Sequence, residues 1–86
     1  MPSPEFLKAA EDVKVLPHKP NNTELLKLYG LYKQATVGDN TTEKPGMLDF
    51  AGKSKWQAWE DLKGTDSKSA EEEYVALVKT LQEKYN

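Results

Sequence analysis

Leu25-Leu26-Lys27-Leu28-Tyr29-Gly30-Leu31-Tyr32-Lys33-Gln34-Ala35-Thr36-Val37-Gly38-Asp39 is the stretch that decides the fold. It reads as one amphipathic helix and its stop. Leu25, Leu28, Tyr29 and Tyr32 recur at i, i+3, i+4 and i+7, so they share a face. Lys33 falls four residues after Tyr29, at the edge of that face. Gly38 supplies the left-handed position that ends a helix. Two phenols and an ammonium along one apolar edge are more than a core requires. A buried tyrosine must satisfy its hydroxyl, and a lysine beside a core must find an anion. The sequence therefore predicts a pocket built around this edge.

The 86 residues suffice for one domain. A chain of this size buries roughly 60% of its unfolded surface, which is marginal but adequate for independent folding. With no cysteine, disulfides and cysteine-ligated zinc are excluded, and stability falls to packing, with two Trp, two Phe and four Tyr as the heavy contributors. Twelve basic and fourteen acidic residues give a formal charge of -2. That balance argues against nucleic acid as the main partner, which asks for a strongly basic domain. No apolar run reaches the length of a membrane span. The opening M-P-S-P-E-F-L-K lacks the basic and apolar regions of a secretory signal, so the expected location is cytoplasmic.

Helical signals recur on either side of the central stretch. Ser3-Pro4 is a cap followed by a proline at the first helical position, and Phe6, Ala9, Ala10, Val13 and Leu16 continue with helical spacing. Pro17 and Pro20 end that helix. Asn21 and Glu24 form a capping box for the central helix. After Gly38 comes an aperiodic segment of a dozen residues, Asp39 to Phe50. Loops of that length usually carry a task. Its apolar Met47, Leu48 and Phe50 predict a loop pinned onto the core. A third helix is expected to start near Asp49 to Gly52, with Asp49 as its cap, and to close at Gly64, with Trp56, Trp59 and Leu62 on its buried side. Thr65 or Ser67 is expected to cap a fourth, in which Ala70, Tyr74, Leu77, Val78, Leu81 and Tyr85 form an apolar stripe. No strand is predicted. Short links join helices one to two and three to four, while the long link permits helices two and three to run parallel. The fold class is thus all-α, a four-helix up-down-down-up bundle.

The inventory for catalysis is poor. His18 is the single histidine and lies in a proline-bounded turn; Ser54, Ser67 and Ser69 have no histidine or carboxylate placed to activate them. No metal-ligand spacing appears, and the calcium-loop echo at Asp39, Thr41 and Glu43 lacks that motif's glycine and final glutamate. Binding fits better. Lysines with tyrosines suit a phosphate joined to a ring: ammonium groups meet the oxygens, and phenols stack or donate. Taken singly, each lysine also reads as a solvated surface residue and each tyrosine as core.

The run Tyr29-Gly30-Leu31-Tyr32-Lys33-Gln34-Ala35-Thr36-Val37-Gly38-Asp39, then Lys44-Pro45-Gly46-Met47-Leu48-Asp49-Phe50, then Lys53-Ser54-Lys55-Trp56-Gln57-Ala58-Trp59 and Leu62-Lys63-Gly64, resembles the acyl-CoA-binding protein family. The resemblance spans essentially the whole chain. It implies one acyl-CoA-binding domain over residues 1–86. It further implies a non-enzymatic carrier and pool buffer for long-chain acyl-CoA, needing no cofactor or metal. A monomer is expected, without nucleic acid or stable membrane insertion, and with transient membrane contact at most. Matched by position, Tyr29, Lys33 and Lys55 correspond to residues for the ribose 3′-phosphate and nucleotide. Tyr32 corresponds to the aromatic that packs with adenine, Lys14 to a further nucleotide-side contact, and Tyr74 to a ligand-facing tyrosine. Ala51 stands where some members carry a lysine. Leu25, Leu26, Leu28 and Met47 are candidates for an acyl groove or for core. The alternative function is a helical protein-interaction module.

Overall fold

A computed structural model describes residues 3–85. Met1, Pro2 and Asn86, the ends of the expected 1–86 domain, lie outside the described residues. Four α-helices follow one another: α1 (Pro4–Asp12), α2 (Asn22–Thr36), α3 (Phe50–Glu60) and α4 (Ser67–Lys84). Among the described residues there is no strand.

Each helix starts where a short polar side chain satisfies a free backbone N–H. Ser3 Oγ accepts from Phe6 N–H at 3.1 Å, and Asp49 Oδ1 accepts from Gly52 N–H at 2.9 Å. Asn21 and Glu24 exchange bonds at 2.8 and 2.9 Å, completing the expected capping box. The cap of α4 is neither Thr65 nor Ser67 but Asp66 between them, whose Oδ1 accepts from Ser69 N–H at 2.7 Å. A carboxylate there also meets the positive end of the helix dipole. The first helix departs from expectation too. Its apolar period runs to Leu16, but the α-helix stops at Asp12 and tightens into a single 3-10 turn, Val13–Val15.

Side-chain pairings give the topology. Ser3 N–H reaches Glu71 at 2.8 Å, and Phe6 packs on Tyr74 with ring centroids 5.0 Å apart, so α1 and α4 run in the same direction. Glu24 binds Lys84 while Tyr32 meets Tyr74, so α2 opposes α4. Lys55 lies by Tyr29 and Trp59 by Lys33, so α3 runs parallel to α2. The order is up, down, down, up. The core of Phe6, Ala9, Leu28, Leu31, Ala35, Ala70, Tyr74, Val78 and Leu81 is drawn from α1, α2 and α4. α3 leans mainly on α2, where the two backbones come close. A Cβ on Gly30 would stand 2.5 Å from the Ala58 carbonyl oxygen and 3.2 Å from Leu62 Cδ1.

The α2–α3 connection is fastened differently from the sequence expectation. Met47, Leu48 and Phe50 are not pinned onto the core; they are 82%, 89% and 71% exposed. Polar groups anchor the segment instead. Trp59 Nε1–H donates to the Gly38 carbonyl at 2.7 Å, and Trp56 Nε1–H donates to the Thr42 carbonyl at 3.0 Å. Buried Asn40 accepts from both the N–H and the hydroxyl of Thr42, at 2.9 and 2.6 Å. At the far end of α2, buried Gln34 donates to Asp39 at 2.8 Å and to the Thr65 carbonyl at 2.7 Å. Gly64, at φ +93°, sends its N–H to the same carboxylate at 2.9 Å. One clasp thus holds the end of α2 to the α3–α4 link.

Candidate functional site

The parallel register of α2 and α3 sets two stripes face to face. Leu25, Leu26 and Tyr29 come from α2, and Ala51, Ser54 and Lys55 from α3, with Asn22 at one end. Together they line a groove of about 410 Å³, within the size range of small-molecule sites. Its floor is leucine and alanine; its rim carries the phenol of Tyr29 and the ammonium of Lys55.

Tyr29 is the centre of the cationic rim. Lys55 Nζ lies 5.7 Å from its ring centroid and Lys33 Nζ lies 6.0 Å from it. Lys33 is also 5.7 Å from the Trp59 ring, which the Gly38 bond holds in place. Cations at this distance from an aromatic face gain roughly 0.5–1 kcal/mol in exposed settings. The larger consequence is position: two ammonium groups from two helices share one ring. The parallel register of α2 and α3 brings both lysines to the Tyr29 ring, while Lys44 turns toward Trp56, 6.0 Å from that ring.

The next turn of α2 carries a second cluster. Tyr32 stacks on Phe6 with centroids 5.6 Å apart and an interplanar angle of 26°, and both rings contact Tyr74, at 6.1 and 5.0 Å. Tyr32 keeps 43% of its surface in solvent, whereas Tyr74 is buried. Burial, with Tyr32 nearby, raises the Tyr74 hydroxyl above its ordinary value and keeps it a neutral donor. Lys14 sits in the 3-10 turn that follows α1, with its ammonium 3.8 Å from the Glu11 carboxylate. Leu28 is core rather than groove, and Met47 projects into solvent outside the groove lining. Asn22, and Ser54, read only as an unactivated serine, are wall residues. Their signal was available in the i, i+3, i+4 spacing of Ala51, Ser54 and Lys55 once a parallel α2–α3 register is set beside it.

A second groove of about 400 Å³ runs between α1 and α4, with Glu5, Glu71 and Glu72 against Lys68 and Lys79. Three carboxylates make it a poor host for a phosphorylated anion. Among the described residues no group of His, Cys, Asp or Glu is spaced to hold a metal, and no helix is long and apolar enough to cross a membrane.

An all-α bundle with an apolar groove beneath a lysine–tyrosine rim defines a class of ligand-binding helical proteins. The comparisons narrow the class. The family model described as Acyl CoA binding protein matches residues 3–78. Acyl-CoA-binding protein 2 of Saccharomyces pastorianus is 55% identical over 86 residues, covering 100% of this chain and 99% of the relative. Acyl-CoA-binding protein homolog 1 of Caenorhabditis elegans is 58% identical over 80 residues, 93% of each chain. The crystal structure of ACBP from Moniliophthora perniciosa superposes with a TM-score of 0.92 at 40% identity, covering 100% of this chain and 85% of that one. The chain belongs to the acyl-CoA-binding protein family.

Proposed function

We propose that the chain binds long-chain acyl-CoA thioesters, carrying them and buffering their free pool as a cytoplasmic monomer, without a catalytic step. The observation that carries the reading is the Tyr29 ring flanked by Lys33 and Lys55 at the rim of an apolar groove. The 3′-phosphate takes the two ammonium groups and the Tyr29 hydroxyl through charge-assisted bonds. The adenine packs against the exposed face of Tyr32, which Phe6 and Tyr74 back from behind. The acyl chain lies along Leu25, Leu26 and Ala51.

The two halves of the ligand contribute unequally. Each buried methylene is worth roughly 0.8 kcal/mol, so ten outweigh any single lysine contact several-fold. Chain length then sets affinity relative to free CoA, and the lysines set orientation. His18 is not placed for a role in this groove. It lies in the α1–α2 connection with its ring 6.4 Å from that of Tyr85.

Isothermal titration calorimetry with a long-chain acyl-CoA tests the reading. Saturable 1:1 binding at micromolar or tighter affinity is expected, with free CoA far weaker. Absence of saturable binding rejects it.

A further inference from the structure

Met47, Leu48 and Phe50 place three large apolar side chains in water within four residues. They are held there by ordered backbone. Asp49 N–H donates to the Gly46 carbonyl at 3.1 Å, and the Asp49 carboxylate caps α3. Behind them Trp56 is bonded to Thr42. Contiguous apolar surface of this kind marks a contact site.

The surroundings say what the contact is. Lys44 and Lys53 bracket the segment and Lys55 follows within a turn. Glu43 and Asp49 oppose them, which leaves three ammonium groups against two carboxylates, and the Asp49 carboxylate is turned to the α3 N-terminus at Gly52 N–H. The tip is therefore apolar at its apex, with a small excess of positive charge at its flanks. The three exposed side chains line no groove, which suits neither a peptide nor a partner helix, since these lie in grooves. Three side chains also fall well short of the roughly 1,200 Å² that a stable protein interface buries. An anionic lipid surface fits both features: apolar side chains enter the boundary below the headgroups, and lysines meet the phosphates. Ala51, next in sequence to Phe50, lines the groove, so the tip and the groove wall are continuous.

We propose that residues 44–53 form a lipid-docking tip that seats the mouth of the α2–α3 groove on an anionic bilayer, so that an acyl tail passes between bilayer and groove without crossing water. The transfer step rests on the acyl-CoA reading above; the docking itself does not.

The chain has no cysteine, so Leu48→Cys carries a single environment-sensitive fluorophore, with Glu72→Cys on α4 as the control. With vesicles of phosphatidylcholine and phosphatidylserine, the label at position 48 shifts to the blue and the label at 72 does not. In co-sedimentation, Leu48→Asp lowers the vesicle-bound fraction about fivefold or more, and added salt lowers it for the parent chain. Affinity of Leu48→Asp for acyl-CoA free in solution stays within about twofold of the parent, because Leu48 lies outside the groove lining. Equal responses at 48 and 72, or undiminished vesicle binding by Leu48→Asp, overturn the proposal. So does a concentration-dependent doubling of mass that Leu48→Asp abolishes, which assigns the tip to self-association. A loss of affinity for dissolved acyl-CoA in Leu48→Asp also overturns it, by making the tip a ligand cover. Failure of the parent chain to bind dissolved acyl-CoA sinks the carrier reading while leaving the vesicle result intact.

Discussion

Tyr29 shows how much one residue decides. Its ring spaces Lys33 from Lys55, and the rim exists because a phenol at i meets an ammonium at i+4 on α2 and another across the α3 seam. Replacing Lys55 with alanine removes one of the two ammonium groups assigned to the 3′-phosphate. A hydrogen bond to a charged group is worth about 1.5–3 kcal/mol, so affinity for acyl-CoA is expected to fall about tenfold or more. The same titration with a dephospho analogue is expected to show little change; equal losses for both ligands contradict the role. The Tyr29–Lys33 half of this rim was legible in the sequence, because spacing on one helix is a local matter. Its meeting with Lys55 was legible only through the family resemblance, because spacing within one helix does not say where two helices cross. Apolar residues were the hardest to place. Leu28, Met47 and Leu25 are alike in type, yet they lie in the core, in solvent and in the groove. Hydrophobicity alone does not say which.

Among the elements, α3 is distinguished by its dependence on one neighbour. It is seated on α2 through Gly30, where the backbones approach too closely for a side chain. Gly30→Ala raises helix propensity by about 1 kcal/mol but drives a methyl group into the Ala58 carbonyl, and overpacking of that kind costs about 1–3 kcal/mol or more. The backbone oxygen cannot swing aside as a side chain does, so net destabilisation is expected. A lower urea midpoint at unchanged slope checks it. Helix starts were legible in proportion to how few candidates competed. Asn21 with Glu24 left no rival. Thr65-Asp66-Ser67 sets three cap-competent side chains in succession, and the cap falls on Asp66, whose extended backbone at φ -74° and ψ 160° matches that of Ser3 at -72° and 156°. The stop of α1 at Asp12 was hidden because a 3-10 turn keeps apolar side chains on nearly the same side for its few residues.

For the whole molecule, the acid limit of stability follows from three carboxylates tied to backbone ends. Lys84, Asn21 N–H and Tyr85 lower Glu24; Gly64 N–H and Gln34 lower Asp39; Ser69 N–H and its hydroxyl lower Asp66. A carboxylate held below its ordinary value stabilises the fold above that value, and the contribution is lost as pH falls toward the folded one. Lys84, raised by its bond to Glu24, and Tyr74, raised by burial, act at the other extreme. Their contributions persist below their ordinary values and fade as pH climbs past about 10. Urea midpoints are expected to be flat from about pH 5 to 9 and to fall below about pH 4. The topology at this scale was legible because loop length limits which helices can be antiparallel. The arrangement of α1 and α2 on either side of α4 has one more consequence, and it concerns synthesis. Ser3 bonds to Glu71, and Phe6 packs against Tyr74 and Tyr32, so α1 and α4, far apart in sequence, complete one another. Until α4 has left the ribosome, α2 and α3 can pair, but the core that α1 and α2 share lacks Tyr74, Val78 and Leu81. Closure of that core therefore waits on the synthesis of α4.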